Sequence, residues 1–180
     1  GHRPNQNGVD YWNGYEFTFL DKNKNPTLKV LEIQIPATSK FTVESKSLKI
    51  YLNSFYNKKF NKDSEALVKI KKDLSRLCKS DVKAKFISKF NNAPESILLN
   101  TLKATNTKPN KVYCFAGFRS ICPVTSQPDF ANIYFIANNA LNIPWLTKYF
   151  KSYRERGDFH EHCVESMFQD IKKEFGCTSL

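Results

Sequence analysis

The chain has 180 residues, and its 28 lysine and arginine residues against 17 aspartate and glutamate residues leave a formal net charge of +11. Its 41% hydrophobic and 25% charged residues are typical of a globular protein, so disorder along the whole chain is excluded, and the length suits one ordinary domain or two small fused modules. Since no apolar run approaches the roughly 20 residues that cross a bilayer and residues 1–7 lack the apolar core of a signal peptide, we expect a soluble protein with no membrane partner.

The first predicted elements are two strands joined by a turn. Apolar and polar side chains alternate over residues 15–19, as in a half-buried strand. The polar stretch 21–26 ends in proline and predicts a turn, and residues 28–35 predict the returning strand. The apolar phase slips between Val30 and Leu31, which indicates a bulge or burial on both faces.

The pattern then changes to the helical period. Apolar residues between positions 48 and 55 lie three and four residues apart and predict a helix. Asp63 is placed to cap a second helix. The apolar residues expected to line the buried face of this second helix are Leu67, Ile70, Leu74, Leu77 and Cys78. Residues 82–90 predict a third strand, whereas residues 91–110 are polar and predict a linker with little core.

The second half follows the same plan. Residues 112–118 and 131–137 predict two strands, and Pro144 is expected to open a helix. A last helix is expected to begin at Asp158. Together with Glu161 three residues on, Asp158 resembles a capping box.

A short internal match supports this repetition. Residues 51–55 can be laid on residues 149–153, at equivalent places in the two halves. We therefore predict an α+β fold with two tandem ββαα-type modules of antiparallel strands, the second without its last strands. The expected boundaries are 1–90 for the first module, 91–110 for the linker and 111–180 for the second module.

The cysteines and the charge leave several interpretations open. Five cysteines are an odd number without a Cys-x-x-Cys pair, which favours a reducing, cytoplasmic compartment. A zinc site can be drawn from Cys114, Cys122, His160, His162 and Cys163, although none of the strong ligand spacings is present. The positive charge suits nucleic acid or an anionic ligand, but scattered lysines are equally an ordinary solvated surface. Met167 is the single methionine, so residue 1 is not a natural start, and Gly1-His2 is compatible with a tag remnant.

Three segments could carry chemistry, and the first is Val43–Tyr51. A helix beginning here would offer free backbone amides and a positive dipole end beside Lys46 and Lys49, a combination that suits phosphate. The alternative is a capped amphipathic helix with exposed lysines.

The second segment is Arg119–Asp129. Its two prolines predict a loop that cannot join a strand ladder. Cys122 and Asp129 flank this loop as a candidate thiol nucleophile and a candidate proton donor, and Arg119 could help to stabilise a thiolate. The alternative is that Cys122 is a small core residue.

The third segment is Gly157–Cys163. His160 and Glu161 are expected in the first turn of a helix, where a carboxylate is favoured by the helix dipole alone. Glu161 could also accept hydrogen bonds from the N–H edge of a purine-like base.

Together these three segments resemble the motifs of one enzyme family. The stretch Glu44-Ser45-Lys46-Ser47-Leu48-Lys49-Ile50-Tyr51-Leu52-Asn53-Ser54-Phe55 closely resembles the signature of 7-cyano-7-deazaguanine reductase, the nitrile reductase of queuosine biosynthesis. Cys122–Asp129 and Phe159–Cys163 resemble its other two motifs. Because the lysine motif precedes the cysteine motif, the chain is similar to the two-module form of the family, whose fold is the tunnelling fold.

The resemblance implies a role for each matched residue. Cys122 would add to the substrate nitrile as a covalent thioimide, and Asp129 would donate protons as NADPH reduces it to the aminomethyl product. The residues that would contact the substrate are Val43, Glu44, Ser45, His160 and Glu161. Ser45 and Lys46, with Lys49, would bind NADPH.

The resemblance also implies partners and leaves alternatives. The substrate would be a small deazapurine, and a homo-oligomer, a dimer or larger, is expected, whereas direct binding of tRNA is not. The family's arginine- and glycine-rich strand pair, which completes its NADPH site, has no match after residue 171, so cofactor binding could be weak or lost. An amidine-forming relative of the archaeosine type, acting on deazaguanine-modified tRNA, and a non-catalytic binding module therefore stay open.

Overall fold

The computed structural model describes residues 8–180, so the observations on residues 1–7, the missing signal-peptide core and the tag remnant, lie outside the described residues. The chain divides between Asn91 and Asn92 into two units. In each unit, helices pack against one face of a three-stranded sheet, which confirms the predicted α+β class. None of the helices found in residues 8–180 is long and apolar enough to span a bilayer.

All the elements predicted for the first unit are present. They are β1 (Val9–Leu20), β2 (Pro26–Pro36), α1 (Ser45–Asn53), α2 (Asp63–Cys78) and β3 (Lys83–Ile87). The strand order is β1-β2-β3 and both pairings are antiparallel. The polar turn between β1 and β2 keeps the two strands in a tight hairpin.

A bulge is present on β1 and not on β2, the strand in which the sequence predicted it. Gly14 pairs with Leu31 and Phe17 pairs with Lys29, so two residues of β1 lie opposite the single residue Val30. β2 itself has no extra residue: Leu31, Ile33 and Ile35 are buried on one face and Val30 on the other face is only partly buried, so the phase slip in the sequence does not mark the bulge.

The core of the first unit lies between the sheet and the two helices. Phe19 and Phe55 are fully buried, and α2 presents Ala66, Ile70 and Leu74 at a regular spacing of four residues. Leu77 was expected on this face and is instead 56% exposed, because the buried stripe continues through Cys78.

The second unit repeats this arrangement with one different edge strand. Its elements are β4 (Ile97–Leu98), a short 3-10 helix (Leu99–Thr101), β5 (Tyr113–Ile121), β6 (Pro128–Phe135), α3 (Ile143–Lys151) and α4 (His160–Phe175). The order is β4-β5-β6, with β4 parallel to β5 and β5 antiparallel to β6. No strand follows α4 in residues 176–180.

Part of the range predicted as a linker contributes to the second core. Residues 97–101 form β4 and the 3-10 helix, and Leu99 is 2% exposed within the core cluster. The Asn100 side chain donates to the carbonyl of Ala116 and accepts from its amide, at 3.0 and 2.8 Å. Ala116 lies in a bulge of β5 that corresponds to the bulge of β1, and Asn100 satisfies the backbone groups that the bulge leaves unpaired.

The hairpin of the second unit is longer than predicted. β5 continues to Ile121 and β6 begins at Pro128, which pairs with Ile121, while Asp129 pairs with Ser120. The expectation that both prolines stay outside the ladder is therefore wrong for Pro128. A proline is tolerated at the first position of a strand because its missing N–H is not needed there.

Both predicted acidic caps are wrong. Asp63 is the first residue of α2 after the N-cap Lys62, and its carboxylate lies 2.8 Å from the Lys29 ammonium. α4 begins at His160, and the Asp158 carboxylate accepts from the amide of the next residue instead of from the helix. The Asp158 N–H donates to the carbonyl of Ile121 at 3.0 Å, so Asp158 belongs to the segment bonded to β5 that precedes α4.

The internal match of residues 51–55 with 149–153 is confirmed in detail. The Tyr51 hydroxyl on α1 donates to Asp73 on α2, and the Tyr149 hydroxyl on α3 donates to Asp170 on α4. The serine that ends each first helix, at 54 and 152, donates from its hydroxyl to the tyrosine carbonyl at 2.7 Å.

Candidate active site

The β5–β6 turn positions Cys122 at the end of a strand. The Cys122 amide donates to the carbonyl of Gln127 at 2.8 Å, and the Ser126 amide donates to the carbonyl of Cys122 at 2.9 Å. Ser126 takes the left-handed conformation, with φ of 57°, that folds the turn back on itself. The thiol is partly exposed and so accessible to a ligand.

The Cys122 thiol is surrounded by hydrogen-bond donors. The Thr125 hydroxyl, followed by the backbone N–H groups of Thr125 and Val124, lowers the pKa of this thiol, and burial and the Asp129 charge oppose the effect more weakly. Hydrogen bonds to a sulfur favour its anionic form, which is the nucleophile. The donors in this turn therefore support Cys122 as a candidate nucleophile, in addition to the motif in which it lies.

The other cysteines are different in kind. Cys78, Cys114, Cys163 and Cys177 are all buried. Burial raises the pKa of Cys163 to about 11. Among residues 8–180, the structure brings together no group of three or more histidine, cysteine, aspartate or glutamate side chains that could hold a metal ion.

Asp129 lies on the opposite strand of the same hairpin. It is partly buried and it pairs with Ser120. The two candidate catalytic residues therefore belong to one hairpin, and the charge of Asp129 acts on the Cys122 sulfur.

Arg119 does not take the position that the sequence suggested. Its guanidinium donates to the backbone carbonyl of Arg154 and lies 3.5 Å from the Glu155 carboxylate. It is not among the groups that lower the pKa of the Cys122 thiol. Stabilisation of the sulfur comes instead from Thr125, a residue whose contact depends on the turn conformation and to which sequence reasoning assigned no role.

The start of α4 is tied to the strand that carries Cys122. Ile121 donates to the carbonyl of Arg156 and accepts from the amide of Asp158, both at 3.0 Å. Because Ile121 precedes Cys122 directly, these two bonds hold residues 156–158, which lead into α4, beside the end of the strand that carries Cys122. His160 and Glu161 occupy the first turn of α4, as expected, and both are partly buried.

His160 has an unused polar atom. Its ring packs 5.9 Å from the ring of Phe118, and its buried Nε2 makes no hydrogen bond within the described part of the chain. A buried polar atom without a partner is costly, and a ligand group could satisfy it. His162, two residues on, has its Nδ1 3.4 Å from Asp158 Oδ1 instead.

The lysine motif belongs to the first unit. Glu44 is the N-cap of α1, and its carboxylate accepts from the amides of Lys46 and Ser47 at 2.7 and 2.8 Å. These hydrogen bonds, strengthened by the Ser47 hydroxyl, lower the pKa of Glu44 to about 2. The expectation of free amides for phosphate is therefore wrong, and the capped-helix alternative holds for the backbone.

The side chains of this motif still face solvent. Ser45, Lys46 and Lys49 are exposed, so an anion would meet ammonium and hydroxyl groups and not the helix end. Val43 is 7% exposed and packs in the core of the first unit, so its backbone is the part left for a ligand.

Comparisons with known proteins agree with the motifs. A family profile described as "Nitrile reductase, 7-cyano-7-deazaguanine-reductase N-term" matches residues 2–86. The NADPH-dependent 7-cyano-7-deazaguanine reductase of Desulfotalea psychrophila is 34% identical over 187 residues, which cover 91% of this chain and 68% of that protein. Proteins of the same name from Xanthomonas campestris and Buchnera aphidicola are 33% and 31% identical, each over 91% of this chain and over 67% and 71% of their own lengths.

Proposed function

The chain belongs to the 7-cyano-7-deazaguanine reductase family, and from this premise we propose that it reduces the nitrile of 7-cyano-7-deazaguanine to the aminomethyl group with NADPH, in queuosine biosynthesis. The observation that supports this chemistry best is the Cys122 sulfur, which lies in a turn with three hydrogen-bond donors. A nitrile is a poor hydride acceptor, and a thiolate is the group that can convert it into a better one.

The first step is addition of the Cys122 sulfur to the nitrile carbon. A C–S bond forms, one π bond of the nitrile opens, and the nitrogen takes a proton from Asp129, giving a covalent thioimide. The position of Asp129 on the same hairpin as Cys122 supports this pairing of nucleophile and acid.

Two hydride equivalents complete the reduction, and NADPH supplies both when it is bound. After the first, the C–S bond breaks and Cys122 leaves as a thiolate, so the donors of the turn stabilise the same charge twice. The nitrogen gains further protons, for which Asp129 is the proposed source. One nitrile thus consumes two NADPH and two protons.

The proposed binding residues of the second unit are His160 and Glu161. The Glu161 carboxylate suits the N–H edge of the deazaguanine, because an ionised carboxylate only accepts hydrogen bonds. The unpartnered Nε2 of His160 offers a second contact. The bonds of Ile121 to the segment that leads into α4 support their placement near Cys122.

The proposed binding residues of the first unit come from the lysine motif. Val43, Glu44 and Ser45 are assigned to the substrate, and Ser45, Lys46 and Lys49 to NADPH. The exposed ammonium groups fit phosphate as point charges. Because Glu44 occupies the amides of the helix end, phosphate binding would depend on Lys46 and Lys49.

We further propose that the protein acts as a homo-oligomer on the free deazapurine and not on tRNA. Within residues 8–180 each sheet has three strands, and in that range β1 and β6 each end their sheet without a further strand from their own unit. Open sheet edges of this kind favour pairing with another chain. Light scattering after size exclusion measures the assembly.

The function is tested with purified protein, the nitrile and NADPH. We expect aminomethyl product and two NADPH oxidised for each nitrile lost. Without NADPH, intact mass should rise by one substrate mass on Cys122. The variant Cys122→Ala should show neither adduct nor turnover, whereas the buried Cys177→Ala should retain both.

The other outcomes separate the alternatives. An adduct consumed by ammonia and not by NADPH would support the amidine-forming enzyme. Binding of the nitrile without adduct or turnover would support a binding module. An unchanged adduct in Cys122→Ala would remove Cys122 as the nucleophile.

A further inference from the structure

The two units carry equivalent hairpin turns. β1 ends at Leu20, whose amide donates to Lys58 and whose carbonyl accepts from Phe60, both at 2.9 Å. β5 ends at Ile121, which makes the same two bonds with Arg156 and Asp158 at 3.0 Å. The residues that follow these strand ends, Asp21 and Cys122, therefore occupy the same place in the fold.

The backbone of the two turns is also alike. In the first unit the Lys24 amide donates to the Asp21 carbonyl at 3.0 Å, and Lys24 has a φ of 66°. In the second the Ser126 amide donates to the Cys122 carbonyl at 2.9 Å, and Ser126 has a φ of 57°. A left-handed residue following right-handed ones turns successive N–H groups toward one point, which is the arrangement that binds anions.

In the first unit this point holds a negative charge. The Asp21 carboxylate accepts from the amides of Asn23 and Asn25, each at 2.8 Å, and from the Asn25 side chain at 3.3 Å. The first-unit turn is therefore closed around an anion that belongs to the chain itself.

In the second unit Cys122 takes the backbone position of Asp21, and hydrogen-bond donors of Thr125 and Val124 lower the pKa of its thiol. The turn has six residues, 122–127, against five, 21–25, and the extra length adds the Thr125 hydroxyl to the two amides. The Gln127 amide donates to Thr125 Oγ1 at 3.3 Å. This bond uses a lone pair of the oxygen and leaves the hydroxyl hydrogen for the sulfur.

We infer that the β5–β6 turn is an anion-binding nest that holds Cys122 as a thiolate, and that the Thr125 hydroxyl is its side-chain donor. The inference rests on the proposed function, which makes Cys122 the nucleophile. It adds to that function a thiolate-stabilising residue and a reason for the left-handed residue at 126. The same donors receive the charge again when the C–S bond breaks.

Charged groups lie on β6, in the segment bonded to Ile121 and in the first turn of α4, which carries Glu161 and His162. Asp129 on β6 acts on the Cys122 sulfur and opposes the thiolate. In the segment bonded to Ile121, Arg156 lies 3.7 Å from Asp158, and on α4 His162 lies 3.4 Å from the same carboxylate. Asp129 is therefore the charged neighbour that is taken into account when the reactivity of the Cys122 sulfur is measured as a function of pH.

The test is alkylation of the native protein by iodoacetamide from pH 5 to 9, followed by intact mass and peptide mapping to Cys122. A C–S bond forms and iodide leaves, so neither nitrile nor NADPH is needed. Thr125→Val should lower the rate at neutral pH by roughly threefold to tenfold, as expected for a lost hydrogen bond to a charged group. Its limiting rate at high pH should be unchanged or slightly higher, because only the thiolate reacts.

Two control variants distinguish the effect of the Thr125 hydroxyl from a general disturbance of the turn. Thr125→Ser keeps the hydroxyl and should keep the parent profile, and Val124→Ala removes an exposed side chain of the same turn and should also keep it. If Thr125→Val does not fold, Thr125→Ala makes the same deletion with less bulk.

Two results would overturn the inference: a parent profile in Thr125→Val, or a shift in Val124→Ala as large as that of the threonine variant. Absence of nitrile reduction by the parent protein would count against the proposed function alone, because alkylation does not depend on it.

Discussion

The two units of this chain share a backbone plan but differ in what they bury beneath the hairpin turn. Phe19 and Ser120 are the residues that precede the matched strand ends, and both are fully buried. Ala66 and Cys163 are each the fourth residue of the second helix of their unit, at 0% and 1% exposure. The first unit thus fills this place with apolar atoms, and the second with a hydroxyl and a thiol.

The buried residues of the first unit stabilise the fold, whereas the equivalent residues of the second unit include polar groups that the fold does not require. Phe19 packs edge-on against Phe60 at 5.7 Å and helps to stabilise the first unit as any core aromatic does. Ser120 instead buries a hydroxyl oxygen that has no hydrogen-bond partner among residues 8–180, and this hydroxyl weakly opposes the burial that raises the pKa of the Cys163 thiol. The fold requires burial at these positions but not a particular residue type, so the second unit can bury a hydroxyl and a thiol where the first unit buries apolar atoms.

The largest expected effect is the loss of stability when the buried aromatic ring of the first unit, Phe19, is removed. Phe19→Ala should lower the free energy of unfolding by about 3–5 kcal/mol because it leaves a large cavity, whereas Ser120→Ala should cost about 1 kcal/mol or less. The two tryptophans, Trp12 and Trp145, lie one in each unit, so urea unfolding followed by fluorescence in Trp145→Phe or Trp12→Phe backgrounds reports each unit separately. Equal losses in the two units would contradict the comparison.

A smaller effect is expected at the matched tyrosines. Tyr51→Phe removes one bond to Asp73, which keeps Lys69 at 3.1 Å, and should cost about 1 kcal/mol. Tyr149→Phe also leaves the fully buried Tyr153 hydroxyl without its partner at 3.0 Å, so about 2 kcal/mol is expected. Chemical denaturation of the two variants side by side checks this order, and a greater loss in Tyr51→Phe would be inconsistent with it.

The smallest effect is the contribution of the two helix N-caps to stability. The cap of α1, Glu44, can be protonated, whereas the cap of α3, Asn142, cannot. The folded-state pKa of Glu44 is about 2 against an ordinary 4.5, so its contribution to stability is complete above pH 4.5 and is lost as the pH falls toward 2. Asn142 caps α3 by accepting from the Trp145 amide at 2.8 Å and carries no charge. Asn142→Ala should therefore cost about 1 kcal/mol equally at pH 7 and pH 3.

The measurement for the caps is unfolding of each unit as a function of pH. Glu44→Gln should flatten the loss of first-unit stability between pH 4.5 and 2, and Asn142→Ala should leave the slope of the second unit unchanged. A first-unit curve that keeps its full slope in Glu44→Gln would assign that slope to other carboxyl groups.

Much of the fold follows from local pattern, because strand and helix periods are short-range properties. The alternation at residues 15–19 and the helical spacing at 48–55 predicted real elements, whereas the phase slip at Val30 predicted a bulge in β2 and the structure has its bulge in β1. Other failures occur where a residue has two possible partners. Asp63 could cap a helix or pair with Lys29, and only the folded chain brings Lys29 near.

The site shows the same limit. Cys122, Asp129, His160 and Glu161 could be named because their segments resemble a family signature, and their assigned roles stay predictions. Thr125 lies within one of these segments but received no role, since its influence on the pKa of the Cys122 thiol depends on the folded turn. The role expected for Arg119 was wrong for a related reason. Its guanidinium points to the carbonyl of Arg154, 35 residues along the chain, and local sequence does not show such a partner.

The bulge in β5 has a consequence for how this hairpin can change in length. Elsewhere in the strand, loss of one codon would reverse the alternation and turn core side chains outward. At residues 116–117, opposite the single residue Asn132, loss of one codon would leave Phe115 and Phe118 on the same face. The bulge is therefore the place in β5 where an ancestral gene could gain or lose a residue without moving Cys122 to the other side of the sheet.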